Sequence, residues 1–380
     1  MCKILGMEID NPFLVSGYAG PEYFCDREAE TAKLTRLLTN GNNVVLMSPR
    51  RMGKTGLLFH VFQQTAIKEA YHTFVIDIYS TKNLNDLVAE MGKVILNTLL
   101  SRSERAFEKF VRVVTSLRPG ISFDSFGTPN WNVEVGNIQS ANTTLDQIFE
   151  YINQSEIPCL IAIDEFQQIS YYPEKNVEAI LRTKIQRCSN ACFVFSGSER
   201  HLLSEMFFST SRPFYASTST LNLERIDLTK YNDFANMHFE RAGKHLETGV
   251  VKTIYNQFEG VTWYIQKVLN YLFSNTKEGE ICQNDWIDAT VDEIVKDNSP
   301  IYADLLYQLT AKQKELLMAI NSEGKIKAVT GSKFIKKYHL SAASSVQTTV
   351  KSLMDRQLVT RHLGIYEVYD KLFGIWLSRL

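Results

Sequence analysis

Four short apolar runs in the first 200 residues constrain the fold of this chain more than any other feature of its sequence. They occupy residues 44–47, 74–78, 159–163 and 192–195. Each is rich in β-branched or aromatic side chains and is bounded by polar or turn-forming residues, which is typical of a buried strand. Amphipathic helical patterns lie between them, at residues 54–68, 84–102, 144–153 and 174–187. The alternation predicts an α/β domain whose parallel sheet is covered by helices on both faces.

The rest of the chain follows different patterns. Residues 118–142 are rich in Gly, Pro, Asn and Ser, which predicts a long loop or insertion. From about residue 227 only helical patterns follow, which predicts a small helical domain, and Asn298-Ser299-Pro300 is its expected boundary. We therefore expect three domains, at residues 1–226, 227–299 and 300–380.

The last domain differs from the others in both pattern and charge. Helical spacing at residues 310–321, 332–338 and 341–357 precedes two short strand patterns at 358–361 and 366–369. Three helices and a hairpin predict a winged helix-turn-helix. Residues 301–380 contain 12 Lys+Arg and 6 Asp+Glu, whereas the whole chain contains 41 and 42. A basic C-terminal module on an acidic body is therefore expected, and a uniformly basic or acidic protein is excluded.

A phosphate-binding loop is predicted between the first strand and the following helix. The sequence Ser48-Pro49-Arg50-Arg51-Met52-Gly53-Lys54-Thr55-Gly56 fits the pattern G-x-x-x-x-G-K-[ST] except that Ser48 replaces the first glycine. Backbone N–H groups of such a loop hold phosphate oxygens, and Lys54 is expected to reach the β- and γ-phosphates. The Thr55 hydroxyl is a candidate Mg²⁺ ligand. These nine residues are the candidate cofactor-binding loop. Its alternative interpretation is a basic turn that caps a helix.

A pair of carboxylates follows the third apolar run. Asp164 and Glu165 come directly after residues 159–163, at the strand end where ligands bind in open α/β sheets. Asp164 is the candidate second metal ligand, because carboxylate oxygens suit Mg²⁺. Glu165 is the candidate catalytic residue that orients and deprotonates an attacking water. The alternative interpretation of this pair is a strand end whose carboxylates are only solvated.

Further polar residues follow the fourth apolar run. Ser196 is a candidate to contact the γ-phosphate or the attacking water, with a simple Ser-Gly turn as the alternative. Arg200, Arg212 and Arg225 are candidates for a transition-state arginine supplied in cis or in trans, and we single out Arg212. The alternative for each arginine is a surface or interdomain ion pair.

Composition and the N-terminal sequence indicate the compartment in which the protein is expected. The six cysteines form no CxxC pair, so reduced thiols are expected rather than zinc or disulfides. No apolar stretch approaches the roughly 18 residues that span a bilayer. The first residues contain Glu8 and Asp10 and lack the apolar run of a signal peptide. A cytoplasmic protein without membrane partners is therefore expected.

The motifs together resemble the archaeal-type P-loop ATPases, an AAA+-related family close to the STAND NTPases. Similar elements include residues 24–30, the loop SPRRMGKT, the strands VIDIYST and LIAIDEFQ, residues 259–266 and the closing VYDKLFGIWL. The resemblance implies a P-loop ATPase core, a helical lid, a winged helix, bound ATP and Mg²⁺, and a position for Arg27 near the adenine. Asp26, Ser48 and Glu259 stand where the family has glycine, Thr262 stands where it has proline, and no clear lid arginine is visible.

Three functions remain open from the sequence. The first is an ATPase that acts as a nucleotide-driven switch on a DNA-contacting winged helix; the second is a nucleotide-sensing DNA regulator with little turnover. The third is an adaptor that docks a protein partner or a second copy of the chain. The candidate base-reading residues are Ser344, Ser345, Gln347, Thr348 and Lys351. The candidate phosphate contacts are Lys333, Lys336, Lys337, Arg361 and His362.

Overall fold

The computed structural model describes residues 10–115, 118–123, 129–134 and 141–380. The chain divides into two compact units. Unit 1 comprises Met1–Phe234 and Gly260–Gln266, and unit 2 comprises Ala235–Glu259 and Lys267–Leu380. Across the described ranges, the structure contains no helix whose length and hydropathy would let it cross a membrane.

A five-stranded parallel sheet forms the centre of unit 1. The strands of this unit are β1 (Val44–Met47), β2 (His72–Asp77), β3 (Arg118–Phe123), β4 (Pro129–Glu134), β5 (Cys159–Asp164), β6 (Ala191–Gly197) and β7 (Ser219–Asn222). The sheet has the order β2-β5-β6-β1-β7, and all its neighbouring strands are parallel. The four predicted strands are confirmed. The fifth, the edge strand β7, lacks an apolar run and was not predicted.

The helices of unit 1 follow the predicted alternation. They are α1 (Glu28–Thr39), α2 (Lys54–Phe62), α3 (Thr65–Lys68), α4 (Leu84–Arg102), α5 (Glu104–Val113), α6 (Ala141–Gln154), α7 (Val177–Arg187) and α8 (Arg200–Phe208). Two short 3₁₀ helices occupy Pro21–Tyr23 and Phe166–Tyr171. Helix α9 (Leu228–Arg241) begins in unit 1 and ends in unit 2.

Alternating side chains of the central strands build two separate cores. Val44 belongs to the core that contains residues of α1 and α2, whereas its neighbour Val45 belongs to the core that contains residues of α4, α6 and α7. Leu160 and Ile161 of β5 divide in the same way. Because successive side chains of a strand point to opposite faces, a continuous apolar run indicates a strand buried on both sides.

The segment predicted as a loop or insertion contains two strands. Strands β3 and β4 pair antiparallel, with Arg118 opposite Glu134 and Phe123 opposite Pro129. The loop alternative was therefore wrong for these two stretches, whereas the alternative of an insertion agrees with the hairpin. Gly, Pro and Asn weaken a strand pattern read from sequence, whereas pairing with a neighbour stabilises the extended backbone. Residues 124–128 and 135–140 of that segment lie outside the described residues.

Unit 2 contains the remaining helices of the predicted lid and winged helix. The elements are β8 (His245–Leu246), α10 (Val250–Gln257), α11 (Thr262–Asn275, whose first turn belongs to unit 1), β9 (Ile281–Cys282), α12 (Trp286–Tyr307), α13 (Ala311–Glu323), α14 (Ser332–Lys337), α15 (Ala343–Asp355), β10 (Val359–His362), β11 (Ile365–Val368) and α16 (Lys371–Leu377). Strands β10 and β11 pair antiparallel and form the wing. The predicted winged helix is confirmed.

Helix α12 runs through the segment expected to separate two domains. Asn298, Ser299 and Pro300 all lie inside this helix. A proline inside a helix removes one backbone hydrogen bond and usually marks a break, which is why the sequence suggested a boundary there. Ser299 Oγ accepts a hydrogen bond from Trp376 Nε1 of α16 at 2.9 Å, and the Trp376 ring lies 5.9 Å from that of Tyr302. Contacts with α16 therefore support the helix beyond Pro300.

Candidate functional site

A tight loop joins β1 to α2 at the carboxyl edge of the sheet. Gly53 has a φ of +89° and forms the N-cap of α2, and Arg51 has a φ of +68°. Positive φ suits glycine but strains arginine. The side chain of Lys54 folds back over the loop, where Nζ donates to the carbonyl oxygens of Ser48 at 3.4 Å and Pro49 at 3.3 Å. The loop therefore brings the N-terminus of a helix and a cation together, which is the arrangement that binds phosphate.

The ammonium group of Lys54 lies largely out of water, with 6% of the residue exposed. Burial lowers the pKa of Lys54, whereas the carboxylates of Glu165 and Asp164 raise it and Arg50 lowers it further. Burial and a neighbouring cation oppose the charged form, and the two carboxylates favour it. A phosphate group beside Lys54 would add further negative charge and favour the ammonium ion.

Thr55 and Asp164 meet at the end of β5. Thr55 Oγ1 donates a hydrogen bond of 2.6 Å to Asp164 Oδ2, and the backbone N–H of Glu165 donates to Asp164 Oδ1 at 3.0 Å. Asp164 is 3% exposed and lies opposite Asp77 of β2 in the sheet register. The hydroxyl and carboxylate are hard oxygen donors of the kind that Mg²⁺ prefers. The structure therefore brings together both residues predicted to bind the metal.

A network of hydrogen bonds holds the carboxylate of Glu165. Its Oε2 accepts from Gln167 Nε2 at 2.6 Å and from the Ser198 hydroxyl at 2.7 Å. Ser198 Oγ in turn accepts from Arg50 Nε of the loop at 3.0 Å. The Arg50 guanidinium also lies 5.7 Å from the centre of the Tyr79 ring. The candidate catalytic carboxylate is therefore connected to the phosphate-binding loop through Ser198.

Ser196 lies at the end of β6 and was predicted to contribute its hydroxyl to the site. Its contacts differ from those of Ser198. Ser196 is fully buried, and among the described residues its Oγ has no hydrogen-bond partner. Ser198 lies two residues further along and donates to Glu165. Ser198 and Gln167 were not among the predicted site residues. The signal was present, because both are polar residues within two positions of a predicted site residue.

The candidate site lines a cavity of about 290 Å³ in unit 1. Its walls come from the N-terminal segment, the loop, α2, the start of α11 and the strand ends. The lining includes Leu14, Val15, Ser16, Gly17, Tyr18, Ala19, Phe24, Cys25, Arg27, Arg50, Arg51, Met52, Gly53, Lys54, Thr55, Gly56, Phe59, Glu165, Ile226, Thr262, Trp263 and Gln266. Seven of the nine predicted loop residues belong to this lining, while Ser48 and Pro49 lie behind it as acceptors for Lys54.

Arg27 lies in this lining and also supports the loop. It is 3% exposed and has a φ of +69°. Its guanidinium donates to Glu30 Oε1 at 2.8 Å and to the carbonyl oxygen of Met52 at 3.3 Å. Gly56 of the same loop leaves room for the Phe24 ring, because a Cβ at Gly56 would lie 3.2 Å from that ring. Arg27 thus links the segment before α1 to the phosphate-binding loop.

Two aromatic residues at the start of α11 hold Arg51. The guanidinium lies 4.5 Å from the centre of the Trp263 ring and 4.9 Å from that of Tyr264. Arg51 also donates to the Tyr264 hydroxyl, and the Trp263 backbone N–H donates to the Arg51 carbonyl oxygen at 3.0 Å. These cation–π and backbone contacts offset the strain of positive φ at Arg51.

The predicted transition-state arginine lies outside the cavity lining. Arg212 forms ion pairs of 2.5 Å with Glu178 and 3.6 Å with Glu205. Burial raises the pKa of Glu178, and the adjacent Arg212 opposes that rise. The structure therefore brings Lys54, Thr55, Asp164 and Glu165 together and does not bring Arg212 to them within this chain.

The winged helix exposes most of the residues predicted to contact DNA. Ser344, Gln347, Thr348 and Lys351 of α15 are exposed, and Ser345 is half-buried. Lys333 and Lys336 of α14 are exposed as well. Lys337 donates to Glu323 at 2.6 Å, which neutralises part of the predicted positive surface.

The tip of the wing carries an exposed apolar side chain. Leu363 is 86% exposed, has a φ of +50°, and is followed by Gly364 with a φ of +79°. Arg361 and His362 before it are also exposed, and the Arg361 guanidinium lies 5.2 Å from the centre of the Tyr366 ring. The wing therefore presents two basic residues beside its turn.

The phosphate-binding loop, the two acidic residues and the covered parallel sheet define a P-loop NTPase. Residues 24–282 match the family described as the ATPase domain predominantly from Archaea, and residues 300–379 match a probable winged helix domain. Because the first match covers well over half of the chain, the protein belongs to this family of archaeal-type ATPases. No curated protein matches the chain in sequence.

Solved structures share the fold at low sequence identity. A Walker-type ATPase of Pyrococcus abyssi superposes with a TM-score of 0.65 at 16% identity, over 97% of this chain and 99% of that one. The ORC2 protein of Aeropyrum pernix, solved with ADPNP and ADP, gives 0.58 at 14% identity over 97% and 95%. The ORC1 protein of the same organism, solved with DNA, gives 0.55 at 13% identity over 98% of both chains. These structures agree with the predicted P-loop fold followed by a winged helix.

Proposed function

We propose that the protein binds ATP with Mg²⁺ and hydrolyses it, and that the bound nucleotide controls DNA contact by the winged helix. The observation that carries the proposal is the joint position of Lys54, Thr55, Asp164 and Glu165 beside one cavity. Membership of an ATPase family supports nucleotide binding. Turnover, metal dependence and the switch are the parts that experiment must test.

The four residues divide three chemical tasks in this proposal. The backbone N–H groups around Gly53 and the Lys54 ammonium bind the β- and γ-phosphates. Thr55 Oγ1 and Asp164 hold the metal, directly or through water. Bound Mg²⁺ supplies positive charge that neutralises the phosphate oxygens. Glu165 orients an attacking water and accepts its proton, the role of a positioned carboxylate in phosphoryl transfer.

The metal site is incomplete without the substrate. Among the described residues, no group of three or more His, Cys, Asp or Glu side chains lies close enough together to hold an ion. Mg²⁺ commonly binds through one or two protein ligands, phosphate oxygens and water. The hydrogen-bonded pair Thr55–Asp164 fits that requirement, since separating the two oxygens would leave both free to bind.

An acceptor in the cavity lining, unpaired among the described residues, favours adenine as the base. Gln266 lines the cavity and is 7% exposed. Its Oε1 is buried and has no partner among the described residues. A buried acceptor without a partner is unfavourable, so a donor from the ligand is expected to satisfy it. The 6-amino group of adenine is such a donor, whereas guanine has a carbonyl oxygen at the same position.

Substitution of the acidic residue tests hydrolysis most directly. We expect Glu165→Gln to retain ATP and to lose turnover by about 10²-fold or more, since general-base catalysis contributes about 10²–10⁴-fold. Glu156→Gln is the control, because Glu156 is exposed and pairs with Arg105 on the surface. Mg²⁺-dependent phosphate release and ATP affinity are measured for all three proteins. Normal turnover by Glu165→Gln would overturn the catalytic assignment.

DNA contact requires a separate measurement. We expect a duplex to bind with an affinity that falls steeply between about 50 and 200 mM salt, because Lys and Arg displace counterions from phosphate. The Glu165→Gln variant loaded with ATP is compared with the ADP-bound wild type. Equal DNA affinity in the two states would refute the switch, and absence of salt-dependent binding would favour docking of a protein partner or a second copy.

A nucleotide sensor with little turnover is the second candidate. The placement of Arg212 favours it, because Glu178 and Glu205 hold this arginine away from the cavity within one chain. In that case hydrolysis awaits an arginine supplied by another subunit or an activating partner. A rise in ATPase rate per protomer with protein concentration would support supply in trans.

A further inference from the structure

The carboxylate of Glu165 is held by an amide from its own 3₁₀ helix. Gln167 lies two residues after Glu165, at the start of the helix Phe166–Tyr171, and its Nε2 donates to Glu165 Oε2 at 2.6 Å. Gln167 is 1% exposed, so this contact is shielded from water. Hydrogen bonds to a carboxylate are strong, and shielding from water strengthens them further.

Two donors converge on one oxygen of Glu165 and leave the other available. Gln167 and Ser198 both donate to Oε2. Among the described residues, no side-chain donor bonds to Oε1. Glu165 also has a φ of +55°, so its backbone conformation is strained for glutamate. The surroundings therefore fix both the backbone and one oxygen of this residue.

Gly197 makes room for the Gln167 side chain. A Cβ placed on Gly197 would overlap Gln167 Oε1, would lie 3.3 Å from Gln167 Cδ and would approach Leu203 Cδ1 to 2.9 Å. The φ of Gly197 is not in the positive range that requires glycine. The absence of a side chain at position 197 is therefore explained by packing against Gln167 and Leu203.

We propose that Gln167 is a positioning residue for hydrolysis, which holds Glu165 so that Oε1 faces the attacking water, and that Gly197 is required because it admits this amide. The inference rests on the proposed ATPase activity and deepens it. Gln167 acts through Glu165 and is not itself among the cavity-lining residues. Its loss changes the orientation of Glu165 and leaves the phosphate-binding loop intact.

The test compares kcat and KM for ATP in Gln167→Leu and Gln167→Met. Both replacements keep similar volume and remove the donor. We expect kcat to fall about 10- to 100-fold, the usual cost of losing a group that orients a functional residue. ATP affinity is expected to stay within about twofold, and thermal unfolding to stay close to wild type, because an apolar side chain of similar size replaces a buried amide. A purely structural role would lower the midpoint of unfolding and leave kcat unchanged in the folded protein.

Gln168→Leu is the matched control. Gln168 belongs to the same 3₁₀ helix, and its amide donates to the Thr81 carbonyl oxygen at 3.0 Å. We expect this variant to keep the wild-type kcat. A fall in kcat equal to that of Gln167→Leu would assign the effect to the helix as a whole and overturn the proposal.

A double-substitution cycle tests the role of Gly197. Gly197→Ala alone is expected to lower kcat because it displaces the amide. The double variant Gly197→Ala/Gln167→Leu is then expected to lose no more than the larger single effect. If the losses in kcat of the two single variants multiply in the double variant, Gly197 acts independently of Gln167.

The outcomes separate this inference from the proposed function. Absence of ATP hydrolysis by the wild type would overturn the activity, and the positioning role with it. An active wild type with unchanged kcat in both Gln167 variants would overturn the positioning role alone. A rise in kcat would also overturn it, because it would mean that the amide restrains Glu165.

Discussion

Lys371 and Glu259 form an ion pair of 2.9 Å that joins the turn after α10 to the first residue of α16. The other oxygen of Glu259 accepts a hydrogen bond from Lys325 at 2.8 Å. Glu259 has a φ of +51°, at a position where the family of archaeal-type ATPases has glycine. The two lysines therefore offset the backbone strain of a residue that replaces glycine, and they connect the predicted lid to the winged helix within unit 2.

This pair predicts a pH-dependent stability. Burial alone would raise the pKa of Glu259, but hydrogen bonds and charge from Lys325 and Lys371 outweigh it and lower the pKa to about 2. A lowered pKa means that the pair stabilises the fold above the ordinary glutamate value of 4.5 and loses that effect as the pH falls towards 2. Because Glu259 is partly exposed, we expect its ion pairs to contribute roughly 1 kcal/mol to the free energy of unfolding at pH 7.

Thermal unfolding of Glu259→Gln measures this effect. The variant should unfold at a lower temperature than the wild type at pH 7, and the difference should shrink between pH 4.5 and pH 2. Glu323→Gln is the control, because Glu323 pairs with Lys337 at an exposed site where a smaller change is expected. A difference that stays constant with pH would show that the charge of Glu259 contributes nothing.

Lys54→Met is expected to stabilise the nucleotide-free protein and to abolish ATP binding. Burial lowers the pKa of Lys54 from the ordinary value of 10.5, so the charged lysine destabilises the fold at neutral pH. That penalty disappears as the pH rises from the lowered pKa towards 10.5. We expect a gain of roughly 0.5–2 kcal/mol at pH 7, a range common when a functional residue is replaced by a better-packing one.

Thermal unfolding with and without ATP checks both parts of this prediction. The wild type should gain stability from ATP, and Lys54→Met should not. The stability difference between the two nucleotide-free proteins should shrink at alkaline pH. Destabilisation by methionine at pH 7 would mean that the hydrogen bonds to Ser48 and Pro49 outweigh the cost of burying the ammonium group.

Gln266→Leu should weaken discrimination between ATP and GTP. The variant removes the buried Oε1 acceptor of the cavity lining, so ATP should lose one hydrogen bond, worth about 0.5–1.5 kcal/mol or roughly twofold to twelvefold in affinity. GTP affinity should stay the same or rise. Titration calorimetry with both nucleotides measures the ratio, with the exposed Gln257→Leu as control. An equal loss for both nucleotides would mean that Gln266 does not read the base.

Arg361→Ala should reduce the salt dependence of DNA binding. If the exposed Arg361 contacts one phosphate, its loss should decrease the slope of log K against log salt by about 0.9. Arg379→Ala is the control, because Arg379 pairs with Asp292. Fluorescence anisotropy over a salt series gives both slopes. Equal slopes for wild type and Arg361→Ala would show that the wing does not belong to the surface that contacts DNA.

Leu363→Asn should stabilise the winged helix by roughly 0.5–1 kcal/mol. The two central residues of the wing turn, Leu363 and Gly364, both have positive φ, a turn for which Asn-Gly is the favoured pair. Leu363 is 86% exposed, so the substitution gives up almost no burial. The shift in the midpoint of thermal unfolding measures the gain. A lower midpoint would show that the leucine side chain makes a stabilising contact.

The sequence alone determined the parts of the protein that depend on local patterns. Strands β1 and β5 could be predicted because a strand covered on both faces needs a continuous apolar run. The phosphate-binding loop, its place between strand and helix, and the carboxylates Asp164 and Glu165 were equally visible, because their function requires particular residue types at fixed spacing. The winged helix followed from helical spacing and a short hairpin pattern.

Only the tertiary structure decided the features that depend on distant residues. Strand β7 has a mixed sequence and forms because it pairs with β1, and α12 continues through Pro300, where α16 packs against it. Spacing along β6 did not show which serine meets Glu165, because that choice depends on where the strand ends beside the neighbouring 3₁₀ helix. Ser198 and Gln167 lie within two positions of predicted site residues, but their hydrogen bonds to Glu165 and the placement of Arg212 outside the cavity lining emerged only from the folded chain, because such contacts leave no periodic signal in the sequence.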